Sequence, residues 1–293
     1  MLLLAACVLT PAAQATEGGA SHYPFGAQTT YSGFLPPPGV TVFYGYSAFY
    51  DAGSVRDDEG DKVPGVSLDF AALAPRFVHT WAEGAGRFKF SSGILFEQIY
   101  IKVRVPGASD KANGIGLFGV EPLYVSASFG NWHFATGSIF YLPLGGYDKT
   151  KLANSNLNYA ALAYQFNATW TPAPRWDISW NLGTEYNLEN KATDYQSGMP
   201  WGLTYGVGYR PFSQNLKWDL GFTGYHVRQL TDDRINGDPV PGGGNRLEKN
   251  AIGPKVTYWF TPAVAVVAQW HHEFDSRNGP QGDVFWLEWA FPL

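Results

Sequence analysis

The stretch Trp176-Asp177-Ile178-Ser179-Trp180-Asn181-Leu182-Gly183-Thr184-Glu185-Tyr186-Asn187-Leu188-Glu189 alternates in character from one residue to the next. Its even positions are Trp, Ile, Trp, Leu, Thr, Tyr and Leu, and its odd positions are Asp, Ser, Asn, Gly, Glu, Asn and Glu, a period of two. Side chains along an extended strand point to opposite faces in turn, so one face is apolar and the other carries carboxylates and amides. Soluble strands average about five or six residues, whereas a tilted strand crossing a bilayer needs about nine to eleven. This segment has the longer reach. It reads as a stave of a transmembrane β-barrel, with lipid on one side and a polar interior on the other.

Composition agrees with that reading. The 293 residues are 16% aromatic and only 15% charged, where an average soluble domain is about one quarter charged. Mean hydropathy is −0.17 and no internal run of about eighteen apolar residues exists, which excludes a helical membrane protein and requires the apolar residues to be dispersed in alternation. A net charge of −5, a pI near 5.7 and the lack of a basic patch argue against a nucleic-acid partner.

Residues 1–15 read as an export signal: an apolar run from Leu2 to Leu9, then Pro11 and the small-residue site Ala13-Gln14-Ala15. The usual basic start is absent, which points to a start further upstream. Leu4-Ala5-Ala6-Cys7 also resembles a lipoprotein processing box, in which Cys7 would carry lipid, although the apolar run before it is short. Cleavage after Ala15 would remove Cys7, the single cysteine, and with it any disulfide or thiolate chemistry.

Residues 16–39 do not read as strand, because Gly18-Gly19, Pro24 and Pro36-Pro37-Pro38 weaken or block ladder pairing. Two readings stand for this N-terminal arm: a periplasmic tail, or a segment folded back into the lumen as a plug. His22, Tyr23, Phe25, Tyr31 and Phe34 are the candidate plug residues, since disordered tails are poor in aromatics.

Residues 40–293 read as the barrel, all-β and antiparallel, with about twelve strands near 40–51, 66–81, 87–105, 117–129, 132–143, 158–171, 175–189, 198–210, 215–229, 250–260, 263–274 and 283–292. An even number places both termini on one side, the periplasm. Short turns at 83–86, 130–131, 172–174, 211–213 and 261–262 alternate with longer polar segments at 52–65, 106–116, 144–157, 190–197, 230–249 and 275–282, the asymmetry expected of outer-membrane barrels. The strand near 87–105 loses phase and suggests a bulge at Ser92-Gly93.

Polar phase assigns the lumen. Asp177, Asn181, Glu185 and Asn187 fall on the wet face of the opening stretch, and Arg210, Asp219, Lys255, His271, Glu273 and Glu288 on the wet faces of later strands. Lys or Arg facing lipid at the midplane costs about 2–4 kcal/mol, so these ten are candidate lumen-lining residues. A hydrated lumen would tolerate Asn181→Arg. The loop residues Asp148, Lys149, Asp194, Asp232, Asp233, Arg234 and Arg246 read as solvated scaffolding, with contacts to lipopolysaccharide or Ca²⁺ open but without a ligand-spaced motif. The partners implied are outer-membrane lipid and lipopolysaccharide, a small hydrophobic or aromatic cargo, and the barrel-assembly machinery.

The segments Ser21-His22-Tyr23-Pro24, Leu35-Pro36-Pro37-Pro38-Gly39, Asp57-Asp58-Glu59-Gly60-Asp61-Lys62-Val63-Pro64 and Leu142-Pro143-Leu144-Gly145-Gly146-Tyr147-Asp148-Lys149 resemble the meta-pathway of phenol degradation family of outer-membrane proteins. So do Glu189-Asn190-Lys191-Ala192-Thr193-Asp194, Gly244-Asn245-Arg246 and Phe274-Asp275-Ser276-Arg277-Asn278. The resemblance spans nearly the whole chain past residue 15. It implies an outer-membrane β-barrel that passes hydrophobic or aromatic compounds. A structural barrel without transport is the alternative.

Little else suggests chemistry. Gly114-Ile115-Gly116-Leu117-Phe118-Gly119 has the dinucleotide-binding pattern but is followed by a strand with Pro122 in place of the required helix, so no cofactor is expected. His271 and His272 are adjacent and face opposite ways in a strand, so they cannot share a metal; one should be luminal and the other interfacial. A lipase-like barrel would need a Ser and His with a polar orienting partner, and no such motif is present, so the chain is read as a non-enzyme.

Overall fold

The computed structural model describes residues 20–293, so the export signal and Cys7 lie outside the described residues. In chain order the strands are β1 (Thr41–Arg56), β2 (Ser67–Thr80), β3 (Lys89–Val105), β4 (Ala108–Phe129), β5 (Trp132–Pro143), β6 (Ala161–Trp170), β7 (Trp176–Asn187), β8 (Tyr195–Gln196), β9 (Pro200–Tyr209), β10 (Trp218–Gln229), β11 (Arg234–Ile235), β12 (Asp238–Pro239), β13 (Glu248–Thr261), β14 (Val264–Arg277) and β15 (Gly279–Pro292). Among the described residues there is no helix. All strands but β8, β11 and β12 form one closed antiparallel barrel of twelve, each paired with its sequence neighbour, and β1 closes on β15. Closure leaves no ladder edge facing lipid, which offers no hydrogen bonds.

Facing follows the pleat. In β9 Trp201, Leu203, Tyr205, Val207 and Tyr209 point outward, while Gly202, Thr204, Gly206 and Gly208 are buried on the inner side. In β7 Trp176, Leu182 and Tyr186 are exposed on the outer wall, and Asp177, Ser179, Asn181, Glu185 and Asn187 are buried inside. Toward one end the outer wall carries aromatic clusters, with Trp132 stacked on Trp170 and Trp180, and Trp218 meeting Tyr258. Such belts mark a membrane interface.

The connections at that end are Trp81–Phe88, Gly130–Asn131, Thr171–Arg175, Arg210–Lys217 and Pro262–Ala263. At the other end two expected loops are absent. The segment 106–116 is a hairpin turned at Pro106-Gly107, with Gly107 at φ 81°, and β4 runs on from Ala108 in register with β3. Likewise β14 and β15 continue through 275–282 and turn at Asn278, at φ 50°. Polar and Gly-rich composition signalled loop, but these strand ends stand above the apolar band, where water makes polar ladders acceptable. The register of β3 on β4 shifts between Ser91 and Gly93, beside the expected Ser92-Gly93, and again between Phe96 and Gln98, but the extra residues lie on β4, at Pro122-Leu123 and Gly116-Leu117, and β3 itself stays in step with β2.

The loops after β7 and β10 are tied by a small sheet in which β11 pairs with both β8 and β12. Asp233 is its hub. Far from being solvated scaffolding it is fully buried, accepting hydrogen bonds from the Tyr195 hydroxyl, the Gly198 amide at 2.7 Å and the Gln229 amide nitrogen at 2.7 Å. Asp232 pairs with Arg246 at 2.6 Å on the exposed side.

Leu182 lies near the middle of β7 and is 44% exposed on the outer wall. Leu182→Arg should destabilise the barrel by about 2–4 kcal/mol in lipid, read as the shift of the refolding midpoint in bilayers against denaturant, because a charge there meets hydrocarbon. An unchanged midpoint would place this face away from lipid.

Candidate functional site

The inner wall is divided by polarity. From β6 round to β14 it is lined by Gln165, Asn167, Asn181, Glu185, Thr204, Gln269 and the charged residues below; from β1 to β5 it is mostly Tyr, Ala, Phe, Leu and Ile. The sequence-derived picture of an evenly polar lumen needs correction here. The strands of the apolar half carry apolar residues on both faces, so alternation gave no phase from which to assign their inner side.

Residues 20–36 run inside the barrel along the polar half. The Glu185 carboxylate accepts from Ser21 Oγ at 2.8 Å and the Tyr23 amide at 2.9 Å. The Tyr23 hydroxyl donates to Gln165 at 2.9 Å and receives the Asn181 amide at 2.7 Å. Further along, Thr204 Oγ1 accepts from the Gly26 amide at 3.0 Å, Gln269 accepts from Thr29 Oγ1 at 2.5 Å, and Thr169 Oγ1 accepts from the Gly33 amide at 3.0 Å. Glycines of the wall admit this close approach: a Cβ on Gly183 would strike the Tyr23 ring and one on Gly202 the Phe25 ring. Asn181 also donates to Gln165 and Asn167, so it is packed against the arm and not hydrated, and room for Asn181→Arg is lacking.

The plug candidates occupy different depths. The His22 ring packs between Tyr141, stacked at 5.7 Å, and Tyr159, edge-on at 4.8 Å. Phe25 packs on Tyr23 and against the Tyr225 cluster. Tyr31 accepts a hydrogen bond from Arg210 at 2.8 Å near the turn-side mouth, and Phe34, 40% exposed, stacks on His133.

Most of the charged wall residues fall into three groups. Asp177 and Asp219 converge over Gly208, where a Cβ would collide with both carboxylates. Lys255 stands 3.5 Å from Asp177 and Arg210 3.9 Å from Asp219, and the Lys255 ammonium also donates to Thr30 Oγ1 at 3.0 Å. Glu273 accepts from Tyr50 and Tyr225, both at 2.5 Å, and from Lys249 at 3.1 Å. Glu121 receives Arg76 Nε on both oxygens at 2.8 and 3.0 Å, and this pair escaped the sequence reading because neither neighbouring strand keeps a polar phase. Glu288 accepts from Gln269 at 2.9 Å, and Asn187 donates to the Gly198 carbonyl at 3.1 Å. His271 is buried inside, edge-on to Tyr225, whereas His272 is exposed on the outer wall and pairs with Asp283 at 2.9 Å.

Beside the arm lie three cavities in series, the loop-side and central ones mainly against the apolar half and the turn-side one also against β6 and β13–β15. The loop-side cavity, about 220 Å³, shares Tyr50, Phe70, Glu97 and Leu117 with the central one, about 230 Å³. The central cavity shares Gln28, Tyr46 and Arg76 with the turn-side one, about 310 Å³. At the turn end Ser128 Oγ and His133 Nδ1 lie 2.8 Å apart, and the imidazole is stacked on Phe34.

A closed twelve-stranded barrel with an apolar outer band and an interior whose polar half holds the arm is a bacterial outer-membrane barrel, which sets both the class and the membrane. The chain belongs to the family described as "Putative MetA-pathway of phenol degradation", whose model matches residues 52–289. The fold is similar to that of an outer-membrane channel from Pseudomonas putida F1, at 15% identity and TM-score 0.74, covering 88% of this chain and 97% of that one. Lower similarity relates it to the β domain of the Bordetella autotransporter BrkA, at 10% identity and TM-score 0.51 over 86% and 98% of the two chains. The transport unit of the autotransporter AIDA-I from Escherichia coli gives 11% and 0.51 over 88% and 92%. No curated protein matches the chain.

The Arg76–Glu121 pair is buried, with side-chain exposures of 10% and 1%. Removing one partner strands the other charge, so Glu121→Leu should cost about 3–5 kcal/mol, while the double variant Arg76→Leu/Glu121→Leu should recover most of that loss. Refolding of the purified barrel in detergent micelles measures both. Separately, Gly183→Val should displace the arm and raise protease cleavage within residues 20–36 while the barrel keeps its heat-modifiable migration.

Proposed function

We propose that this protein is an outer-membrane channel for small hydrophobic or aromatic compounds, with its termini and short turns in the periplasm and its long loops outside the cell. The observation that carries this reading is the row of three cavities along the lumen beside the arm, two of them walled mainly by β1–β5 and the turn-side one also by β6 and β13–β15. A purely polar lumen would be a poor route for a hydrophobe, because an apolar solute gains only where it leaves water for apolar surface. Here one wall is mostly apolar, with Ala48, Phe70, Ala72, Leu95, Leu117 and Ile139 lining the central cavity beside the paired Arg76 and Glu121 and the carboxylate of Glu97. Each cavity exceeds the roughly 150 Å³ in which an engineered apolar site binds benzene.

The arm acts in this reading as a filler that narrows the barrel to a hydrophobe-sized slot and blocks bulk water. The polar half of the wall exists to hold the arm. The fold likeness to the Pseudomonas putida outer-membrane channel is compatible with passage, and membership of a family tied to phenol degradation supports aromatic cargo. A structural barrel without transport would fill the slot with side chains.

Two variants test the proposal. Ala72→Trp places a large ring into the central cavity and should lower toluene uptake by cells severalfold at equal outer-membrane abundance. Deleting residues 20–36 should raise single-channel conductance in planar bilayers and abolish preference for hydrophobes over ions. Equal toluene uptake with and without the protein would overturn the function, and unchanged conductance in the deletion would overturn the role of the arm.

A further inference from the structure

Charged side chains that line the central and loop-side cavities are paired, with one exception. Arg76 is held by Glu121 at 2.8 Å, and Lys249 by Glu273 at 3.1 Å. Glu97 lines both cavities, yet among the described residues it makes no hydrogen bond and no ion pair. Leu95 and Ile99 flank it on the inner face of β3, and Phe70 and Leu117 line both cavities with it, as do Tyr50 and the Glu273-paired Lys249; among such apolar neighbours an unpaired carboxylate is costly.

The backbone gives a second, independent observation. Glu97 sits at the register shift between Phe96 and Gln98, where β3 and β4 fall out of step. On its other side the β2–β3 ladder is interrupted between Leu73↔Gln98 and Arg76↔Leu95, beside Pro75, which has no amide to donate. Bulges re-aim side chains and gather at functional positions. Here the extra residue lies on β4, where Gly116 and Leu117 stand opposite Glu97, and β3 keeps its alternation, so the carboxylate faces inward in phase with Leu95 and Ile99 at the junction of two cavities.

We propose that Glu97 is the specificity-determining residue of the slot, accepting a hydrogen bond from the hydroxyl or amino group of a one-ring aromatic cargo. The proposal rests on the transport reading above and deepens it. The ring lies against Phe70 and Leu117, its donor reaches Glu97, and the carboxylate gains the partner that the protein withholds. A cargo without a donor must leave Glu97 desolvated and unpaired. The site therefore ranks p-cresol above toluene, molecules that differ by one hydroxyl. The same acceptor chemistry serves a hydroxyl or an ammonium, and p-cresol and benzylamine separate the two.

The experiment compares wild type with Glu97→Leu and Glu97→Gln, at matched outer-membrane abundance and with heat-modifiable migration as the check on folding. Binding of p-cresol, benzylamine and toluene to the folded full-length barrel in detergent is measured by equilibrium dialysis, with cellular uptake in parallel. Wild type should bind p-cresol about tenfold more tightly than toluene, a difference of about 1.4 kcal/mol. Glu97→Leu should erase that ratio by weakening p-cresol while toluene holds or improves, and Glu97→Gln, which keeps an acceptor oxygen, should retain part of it for p-cresol and lose it for benzylamine. An unchanged p-cresol to toluene ratio in Glu97→Leu would overturn the assignment. If no probe binds or enters above the level without the protein, transport itself fails, a result distinct from equal handling of all probes. Should Glu97→Leu fail to fold, Glu97→Gln alone decides: an unaltered benzylamine affinity in it refutes the role.

Discussion

Hydrocarbon offers no hydrogen bonds, and the rest of this structure follows from that constraint. Each amide crossing the bilayer must find its partner in a neighbouring strand, so β1 has to meet β15, from Val42↔Pro292 to Asp51↔Asp283. Closure then fixes the pleat: every second residue faces lipid and the others face a confined space. The outer positions must be apolar. The inner positions are free of that demand, and the chain uses the freedom unequally around the ring.

On the β6–β14 side the inner positions carry amides, hydroxyls and paired charges, which by themselves would call for water. The arm takes the place of water. Its backbone amides at Tyr23, Gly26 and Gly33 and its side chains at Ser21, Tyr23 and Thr29 satisfy the wall, and the wall in turn satisfies an irregular segment that has no ladder of its own. Glycines at 183, 202 and 206 let the two surfaces approach to contact. Glu273 follows the same rule, gathering two tyrosines and a lysine, whereas the buried Asp177 and Asp219 carboxylates accept no hydrogen bond and have only the charges of Lys255 at 3.5 Å and Arg210 at 3.9 Å.

How much of this could be read from the sequence depends on where the two faces differ. In β7 and β9 they differ at nearly every position, and alternation alone gave strand, length and facing. The inner residues Asp177, Asn181, Glu185 and Asp219 were legible for the same reason. In β2, β3 and β4 both faces are apolar, and in β4 bulges also break the phase, so Arg76, Glu97 and Glu121 could not be assigned, and with them the apolar half of the lumen. The isolated charges in otherwise apolar strands were the available signal, since a charge in such a strand must face inward. Polar strand ends at 106–116 and 275–282 were read as loops because composition reports solvent exposure, and a ladder that rises above the membrane is exposed without being irregular.

The division of the lumen also explains why filling and passage are compatible in one narrow barrel. If the whole inner wall were polar, the arm would seal it, and an apolar solute would gain nothing by entering. If the whole wall were apolar, nothing would anchor an irregular arm, and its unpaired amides would be expelled toward water. Splitting the wall assigns each task to one half: the amides and carboxylates near Gln165 and Gln269 hold the arm, and Ala48, Phe70, Leu117 and Ile139 face it across unfilled space. The slot is therefore bounded on one side by the arm itself, through His22, Tyr23 and Phe25, so its width is set by how firmly the polar half grips the chain. Weakening any one grip, such as the Tyr23 hydroxyl on Gln165, changes the shape of an apolar cavity without altering a single residue of its opposite wall.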